Sequence, residues 1–332
     1  MRVGIVGCGL IGVRRAQALR KGDRLVAVAD VVFERAQHLA AGFAGCKASA
    51  DWRSVTDDPD IDLVIAATSH DALVPVSLAA AHARKHLLVE KPGARNVGEI
   101  DLLIEASHSS PSRVKIGFNH RFHPALIKAK EIFSSGALGP LLCIRGRYGH
   151  GGRLGYEQEW RADSAISGGG ELLDQGTHLI DLSRWFAGDF AGVYGHLATF
   201  FWKTNVEDNS FVLLETASGQ VAWLHASWTE WKNLFSFELF GREGKLQIDG
   251  LGGSYGVERL THYRMLPEMG PPETVCWEYP GADLSWAREY EYFAECIEKG
   301  NPIEGGLEDA RAALKIVAEV YRQSPKKPGR VR

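Results

Sequence analysis

Two stretches of the chain bear on redox chemistry, and the first is a site for a dinucleotide. Gly7-Cys8-Gly9-Leu10-Ile11-Gly12 is a G-x-G-x-x-G that follows a strand-like run and opens a helical one. The first glycine permits a tight turn, the second lets backbone approach a pyrophosphate, and the third allows close helix packing. Helix amides then face the negative charge. Asp30 ends the next apolar run, 18 residues after Gly12, where a carboxylate can accept hydrogen bonds from both hydroxyls of an adenine ribose. NAD is therefore expected. NADP is disfavoured, because Val31, Val32 and Phe33 offer no cation for an extra phosphate and Arg35 is the nearest. Arg14 and Arg15 lie in the helix that follows, where at least one of them reads as part of a solvated basic face.

The second stretch is a set of groups that can move a proton. Lys91, in Glu90-Lys91-Pro92, closes a buried strand, where ligands bind in open α/β sheets. Beside a cationic nicotinamide and partly desolvated, its amine should lose a proton more easily and accept one from a hydroxyl. A surface lysine at a strand end is the competing reading. In Gly168-Gly169-Gly170-Glu171-Leu172-Leu173-Asp174-Gln175-Gly176-Thr177-His178-Leu179-Ile180-Asp181, helical spacing puts Asp174, His178 and Asp181 on one face. Leu172, Leu179, Leu182 and Phe186 face a core. A carboxylate beside an imidazole can orient it toward a substrate hydroxyl. A buried polar network and a divalent metal site use the same residue types; no metal is expected. Gly176 inside a helix costs about 1 kcal/mol relative to Ala, which a ligand passing close by would explain.

These residues need a doubly wound sheet and a second domain to position them. Val3 to Val6, Leu25 to Ala29, Leu63 to Ala67, Leu87 to Val89 and Val114 to Phe118 read as buried strands. Helical spacing fills the intervals between them, which implies parallel strands with crossover helices. After residue 120 come a helix near Pro124 to Ser134, a strand near Leu141 to Tyr148 and a helix from Glu171 to Phe186. Strands follow at Val193 to Phe201, Ser210 to Thr216, Gln220 to Trp228, Phe235 to Phe240 and Lys245 to Ile248. Their β-branched and aromatic residues and intervening turns predict a mainly antiparallel sheet. The fold class is thus α/β, an N-terminal Rossmann domain over 1–119 and an α+β domain over 120–332. Terminal helices at Trp286 to Lys299 and Leu307 to Tyr321 are free to pack back on the first domain, and a basic tail is expected to fray.

Composition narrows the partners. The 332 residues hold 45% hydrophobic and 24% charged residues, enough to fill two cores. A net charge of -3 gives no pull toward nucleic acid or anionic lipid. Five scattered cysteines without metal-site spacing suit a reducing compartment, and no apolar run approaches bilayer length. Met1 runs straight into the first strand without room for an export signal, so a cytoplasmic location is expected. Trp202, Trp223, Trp228 and Trp231 lie along predicted strands, where core or interface packing competes with sugar stacking.

Taken together, these motifs resemble the glucose-fructose oxidoreductase, inositol dehydrogenase and MocA family (Gfo/Idh/MocA) over nearly the whole chain. The resemblance rests on Gly7 to Gly12, Ala67-Thr68-Ser69-His70, Glu90-Lys91-Pro92 and Asp174-Gln175-Gly176-Thr177-His178-Leu179-Ile180-Asp181. It implies an NAD-dependent oxidation or reduction of a secondary alcohol on a sugar, polyol or nucleotide sugar. Lys91 would relay the proton, with Asp174 and His178 on the reacting hydroxyls. Cofactor contacts would come from Gly7, Gly9, Leu10, Ile11, Gly12, Asp30, Thr68, Ser69, His70, Glu90, Lys91 and Asn119. Arg121, Tyr148, Trp160 and Arg161 would border the substrate. Ser69, His70 and Leu73 depart from the family's usual Pro, Asn and His. The loops Gly149 to Arg153 and Gly250 to Gly256 are similar to those of members associated with sugar nucleotides; His150, Arg153 and Arg161 could pair with a phosphate or carboxylate or simply be solvated. The resemblance also implies a homodimer or homotetramer through the C-terminal sheet. Two rival activities exist within this fold: glycosidases that oxidise and re-reduce their substrate, and non-catalytic regulators.

Overall fold

The computed structural model describes residues 1–266, 268 and 270–324. The basic tail beyond Ser324 lies outside them. In chain order, strands β1 (Arg2–Val6), β2 (Arg24–Ala29), β3 (Lys47–Ser49), β4 (Leu63–Ala66), β5 (His86–Val89) and β6 (Val114–Ile116) alternate with helices. The helices are α1 (Leu10–Gln17), α2 (Phe33–Ala41), α3 (Arg53–Thr56), α4 (His70–His82) and α5 (Val97–His108). Next come α6 (Pro124–Ser134), β7 (Leu141–Gly149), α7 (Ser164–Ser167) and α8 (Thr177–Ala187). Then follow β8 (Phe190–Ala198), β9 (Asn209–Thr216), β10 (Val221–Ser227), β11 (Leu234–Gly241), β12 (Gly244–Asp249), β13 (Glu258–Arg264) and β14 (Glu273–Tyr279). Helices α9 (Ser285–Lys299) and α10 (Leu307–Gln323) end the described chain.

The chain divides into two compact units. The first comprises Met1–Asn119, Ala165–Gly168 and Trp286–Lys315. Its six strands are parallel in the order β3-β2-β1-β4-β5-β6. All four residues of β4 are buried, the composition expected of a strand covered on both faces. Tyr290, Phe293 and Ala294 of α9 pack with Val3, Ile5, Ile65 and Leu88, so a C-terminal helix completes this N-terminal core. The order of strands reverses at β1, which lies between β2 and β4; in open α/β sheets the crevice beyond such a switch point binds ligands. Both the glycine loop and the segment Thr68-Ser69-His70 leave the sheet there.

The second unit comprises, among the described residues, His120–Ser164, Gly169–Ser285 and 316–324. Its eight strands run β14-β13-β12-β11-β7-β10-β9-β8, antiparallel except for the β7 and β10 pair. Gly146 leaves room on one face for Leu179 of α8, Leu224 and Phe237; an added Cβ would lie 3.1 to 3.2 Å from each. Sheet and helix thus meet closely where α8 must be held.

Several expected boundaries shift for physical reasons. The strand expected to reach Phe201 stops at Ala198, because the Asp208 carboxylate accepts the amides of Phe200, Phe201 and Trp202 at 2.8 to 3.0 Å and takes them off the ladder. Of the four tryptophans expected on strands, only Trp223 is within one. Trp228 follows β10 and is fully buried against Tyr156, while Trp202 and Trp231 lie in loops. Among the described residues no helix is long and apolar enough to cross a membrane.

Candidate active site

In the first unit the glycine loop is built to lie against backbone. Gly7 has φ +93°, and a Cβ on it would meet the Ala67 carbonyl oxygen at 2.3 Å. A Cβ on Gly12 would meet the Gly7 oxygen at 1.9 Å, so neither position tolerates a side chain. Gly9 is the opposite case: a Cβ there meets nothing within 4 Å, leaving open space in front of the amides that begin α1. Asp30 is buried and accepts Cys8 N at 2.7 Å and Val32 N at 2.8 Å. Each carboxylate oxygen has a second lone pair for a ribose hydroxyl. A closed turn, an open second glycine and a pinned acid fit a pyrophosphate and adenosine ribose. Cys8 is no reactive thiol, since burial and the nearby Asp30 push it up to about 12.

On the other side of the switch point, the Thr68 hydroxyl donates to Ser69 O at 2.9 Å and the Ser69 hydroxyl to Asp71 at 2.6 Å. His70 is buried, with Nδ1 2.7 Å from Ser167 O. A carbonyl can only accept, so Nδ1 carries the proton and the ring pins Ser167 to the start of α4.

Lys91 follows β5 through a cis peptide to Pro92. The preceding Glu90 is 6% exposed and accepts Arg15 Nε at 2.6 Å. Of the two arginines of α1, Arg14 is exposed and Arg15 fully buried, its Nη1 donating to Glu289 at 2.7 Å. Lys115 Nζ lies 3.1 Å from the other Glu289 oxygen. Burial opposes the Arg15 charge, but Glu90 and Glu289 outweigh it and the guanidinium is held above its usual range. Glu90 is raised by burial and by Glu289, with Arg15 pulling the other way.

In the second unit the expected α-helix does not begin at Glu171. Leu172–Gly176 is a π-helical turn, with wider i→i+5 bonding, that passes into α8 at Thr177. Two devices hold it. Glu207 Oε1 accepts the amides of Gly170 and Leu172, each at 3.1 Å, and the Tyr321 hydroxyl at 2.8 Å. The Thr177 hydroxyl donates to the carbonyls of Leu173 and Asp174 at 3.0 and 3.1 Å. Gly176 is small for packing, not for a passing ligand: an added Cβ would lie 3.1 Å from Leu172 and 3.7 Å from Ala226.

The wide turn gives the three polar residues separate partners. Asp174 accepts Arg161 Nε at 3.0 Å, and Arg161 lies over the Trp160 ring at 4.3 Å. Asp181 binds Arg121 in a bidentate pair at 2.8 and 2.5 Å. His178 stacks on His120, ring centroids 3.7 Å apart and planes 21° from parallel. Tyr148 is tilted against His120 at 5.1 Å and against Tyr255 at 5.4 Å, while Gln175 donates to the Tyr255 hydroxyl at 3.2 Å. Burial, reinforced by Tyr255, holds the Tyr148 phenol protonated well above its ordinary range. Asp174, His178, Tyr148, Trp160 and Arg161 therefore form one neighbourhood, with Arg121 anchoring α8 behind it. Asn119 is buried at the end of the first unit.

Comparison with known proteins agrees with this architecture. Residues 1–118 match the family model described as an oxidoreductase family with an NAD-binding Rossmann fold, and residues 126–247 match the GFO/IDH/MocA C-terminal domain. The chain belongs to the Gfo/Idh/MocA family. Members similar to it include levoglucosan dehydrogenase of Pseudarthrobacter phenanthrenivorans, 29% identical over 74% of this chain and 73% of that one. Myo-inositol 2-dehydrogenase of Thermotoga maritima is 27% identical over 95% of this chain and 93% of its own. Inositol 2-dehydrogenase of Salmonella typhimurium is 31% identical over 66% of this chain and 65% of its own. A solved levoglucosan dehydrogenase complex with NADH and levoglucosan superposes with a TM-score of 0.86 at 26% identity, covering 98% of both chains. This member of the family is thus an NAD-dependent oxidoreductase related to enzymes of sugar and polyol alcohols.

Sequence reasoning missed His120, Tyr255 and Arg15. Arg15 was within reach, because it shares a buried stripe of α1 with Gly12 and Ala16 at helical spacing. The stack of His120 on His178 and the contacts of Tyr255 with Tyr148 and Gln175 join residues distant in the chain, which no local signal marks. Among the described residues no group of three or more His, Cys, Asp or Glu is arranged to hold a metal ion.

Proposed function

We propose that the protein oxidises, or in reverse reduces, a secondary alcohol of an uncharged sugar or polyol. The glycine loop and Asp30 would hold NAD, whose nicotinamide would supply the acceptor for a hydride from the carbinol carbon. Lys91 accepts the hydroxyl proton as the carbonyl forms and returns it in the reverse direction. Asp174 accepts a hydrogen bond from a substrate hydroxyl, and His178 shares the hydroxyl proton, its ring orientation fixed by the His120 stack.

The observation that carries the uncharged substrate is the pairing of cations in the second unit. Arg161 is bound to Asp174, Arg121 to Asp181, and Arg153 to Glu159 at 2.7 Å. His150 accepts the Gly152 amide through Nδ1 at 2.9 Å, so that nitrogen is unprotonated. Of the side chains weighed for a phosphate or carboxylate, Arg161 and Arg153 thus each pair with an acid, and His150 is engaged by a backbone amide. Four buried acids, Glu171, Asp174, Asp181 and Glu207, outnumber the two arginines paired among them, Arg161 and Arg121, a balance that disfavours an anion. The related levoglucosan and inositol dehydrogenases support the same class.

The test is net NADH formation with paired substrates, inositols, anhydrosugars and free aldoses against sugar phosphates, uronates and nucleotide sugars, with products separated. Turnover of neutral compounds with kcat/KM at least about 100-fold above their anionic partners is expected. Preference for a nucleotide sugar would overturn the substrate class, and release of an aglycone without net NADH would point to a glycosidase.

A further inference from the structure

The buried charges under the Lys91 turn are more than a core needs. Arg15, Glu90, Lys115 and Glu289 are each at most 6% exposed, and they come from α1, the end of β5, β6 and α9. Two cations meet two carboxylates, so the set is neutral as a whole. Arg15 is its hub: one guanidinium bridges Glu90 at 2.6 Å and Glu289 at 2.7 Å, with the Trp286 ring 4.5 Å from its centre. Space around it is tight, since a Cβ on Gly117 would lie 2.7 Å from Arg15 Nη2 and 3.0 Å from Glu90. A buried ion pair adds little to stability compared with well-packed apolar residues, so stability alone does not account for the set.

We propose that Arg15 is a positioning residue for Lys91: by binding the Glu90 carboxylate it fixes the turn that carries the lysine and offsets the negative charge beside the lysine's amine. The proposal rests on the reading of Lys91 as the proton relay. Glu90 is the adjacent residue, and the Lys91 charge favours its ionised form, so the two groups are electrostatically coupled. Coupling is reciprocal, and an unopposed Glu90 carboxylate would favour the protonated lysine, which cannot accept a substrate proton. A lysine in place of Arg15 retains the charge but not the planar fork that reaches two acids at once.

The test is the pH dependence of kcat for alcohol oxidation in wild type, R15M, R15K, E90Q, the R15M/E90Q double variant and K91M. NAD affinity is measured separately by protein fluorescence. R15M is expected to move the half-maximal pH of kcat upward by about one unit, R15K by less, and E90Q to move it downward. The double variant should return near the wild-type value. A purely structural role would lower kcat or NAD affinity without these opposed shifts, and that outcome overturns the proposal. So does an unmoved midpoint in R15M, which would mean that Glu90 takes up a proton when its partner is lost. If R15M does not fold, the R15K and E90Q shifts decide by the same signs. Wild-type kcat in K91M would remove Lys91 itself and this proposal with it; loss of kcat in K91M with unmoved midpoints in the Arg15 and Glu90 variants would overturn the positioning role alone.

Discussion

Asp30 ties two segments with one carboxylate, accepting Cys8 N of the glycine loop and Val32 N of the following turn, and under the proposed function it also receives the adenosine ribose. Asp30→Ala should weaken NAD by about tenfold or more, the scale of a lost hydrogen bond to a charged group, and narrow the preference over NADP. Titration with both cofactors checks this; unchanged preference would mean that discrimination resides elsewhere. Residues of this kind were legible because their chemistry is tied to local chain geometry: three glycines at a turn, an acid at a strand end, a lysine after a buried strand. Partnerships across the chain were not. Asp174 with Arg161 and Asp181 with Arg121 are set by folds between residues 13 and 60 apart, and spacing along one helix could not show them.

At the scale of elements, the segment bearing Asp174 and His178 departs from α-helical bonding and is held by side chains from elsewhere in its unit. Its π turn was invisible in the sequence, which read as one helix, because the wider bonding depends on Glu207 and Tyr321 from elsewhere in the unit. The central strands and the helices around the glycine loop could be read from apolar periodicity. Strands β3, β13 and β14 could not: β3 has three residues, and β13 and β14 are charged or exposed along much of their length. Glu207 supplies a test of the anchor. Burial raises it from 4.5 to about 6, and hydrogen bonds from Tyr321, Leu172 and Gly170 pull the other way. Stability from the protonated form is full below pH 4.5 and is lost as pH rises through 6. The loss is about 2 kcal/mol, from 1.36 kcal/mol per unit of difference. Denaturant unfolding of wild type against Glu207→Gln across pH 4.5 to 6 should show that loss only in the wild type. Parallel profiles would show that Glu207 stays ionised.

For the whole molecule, the second sheet presents a row of cross-strand neighbours on the face away from α8: Tyr194 opposite Leu213, then Trp223, Arg145 and Glu238. Tyr194, Leu213 and Trp223 are 40 to 55% exposed, a flat apolar patch edged by the Arg145 and Glu238 pair. The homo-oligomer expected from the sequence would bury these side chains, and a monomer mass by light scattering would remove that expectation. Two units, one with the glycine loop and Lys91 and one with Asp174 and His178, make the account depend on Lys91 doing chemistry rather than holding NAD. The most direct measurement is nicotinamide absorbance for wild type and Lys91→Met with NAD and a neutral polyol that the wild type oxidises, with NAD affinity determined independently. The account predicts NAD affinity within a few-fold and turnover lower by about 100-fold or more in the variant. Turnover equal to wild type at equal NAD occupancy would contradict it.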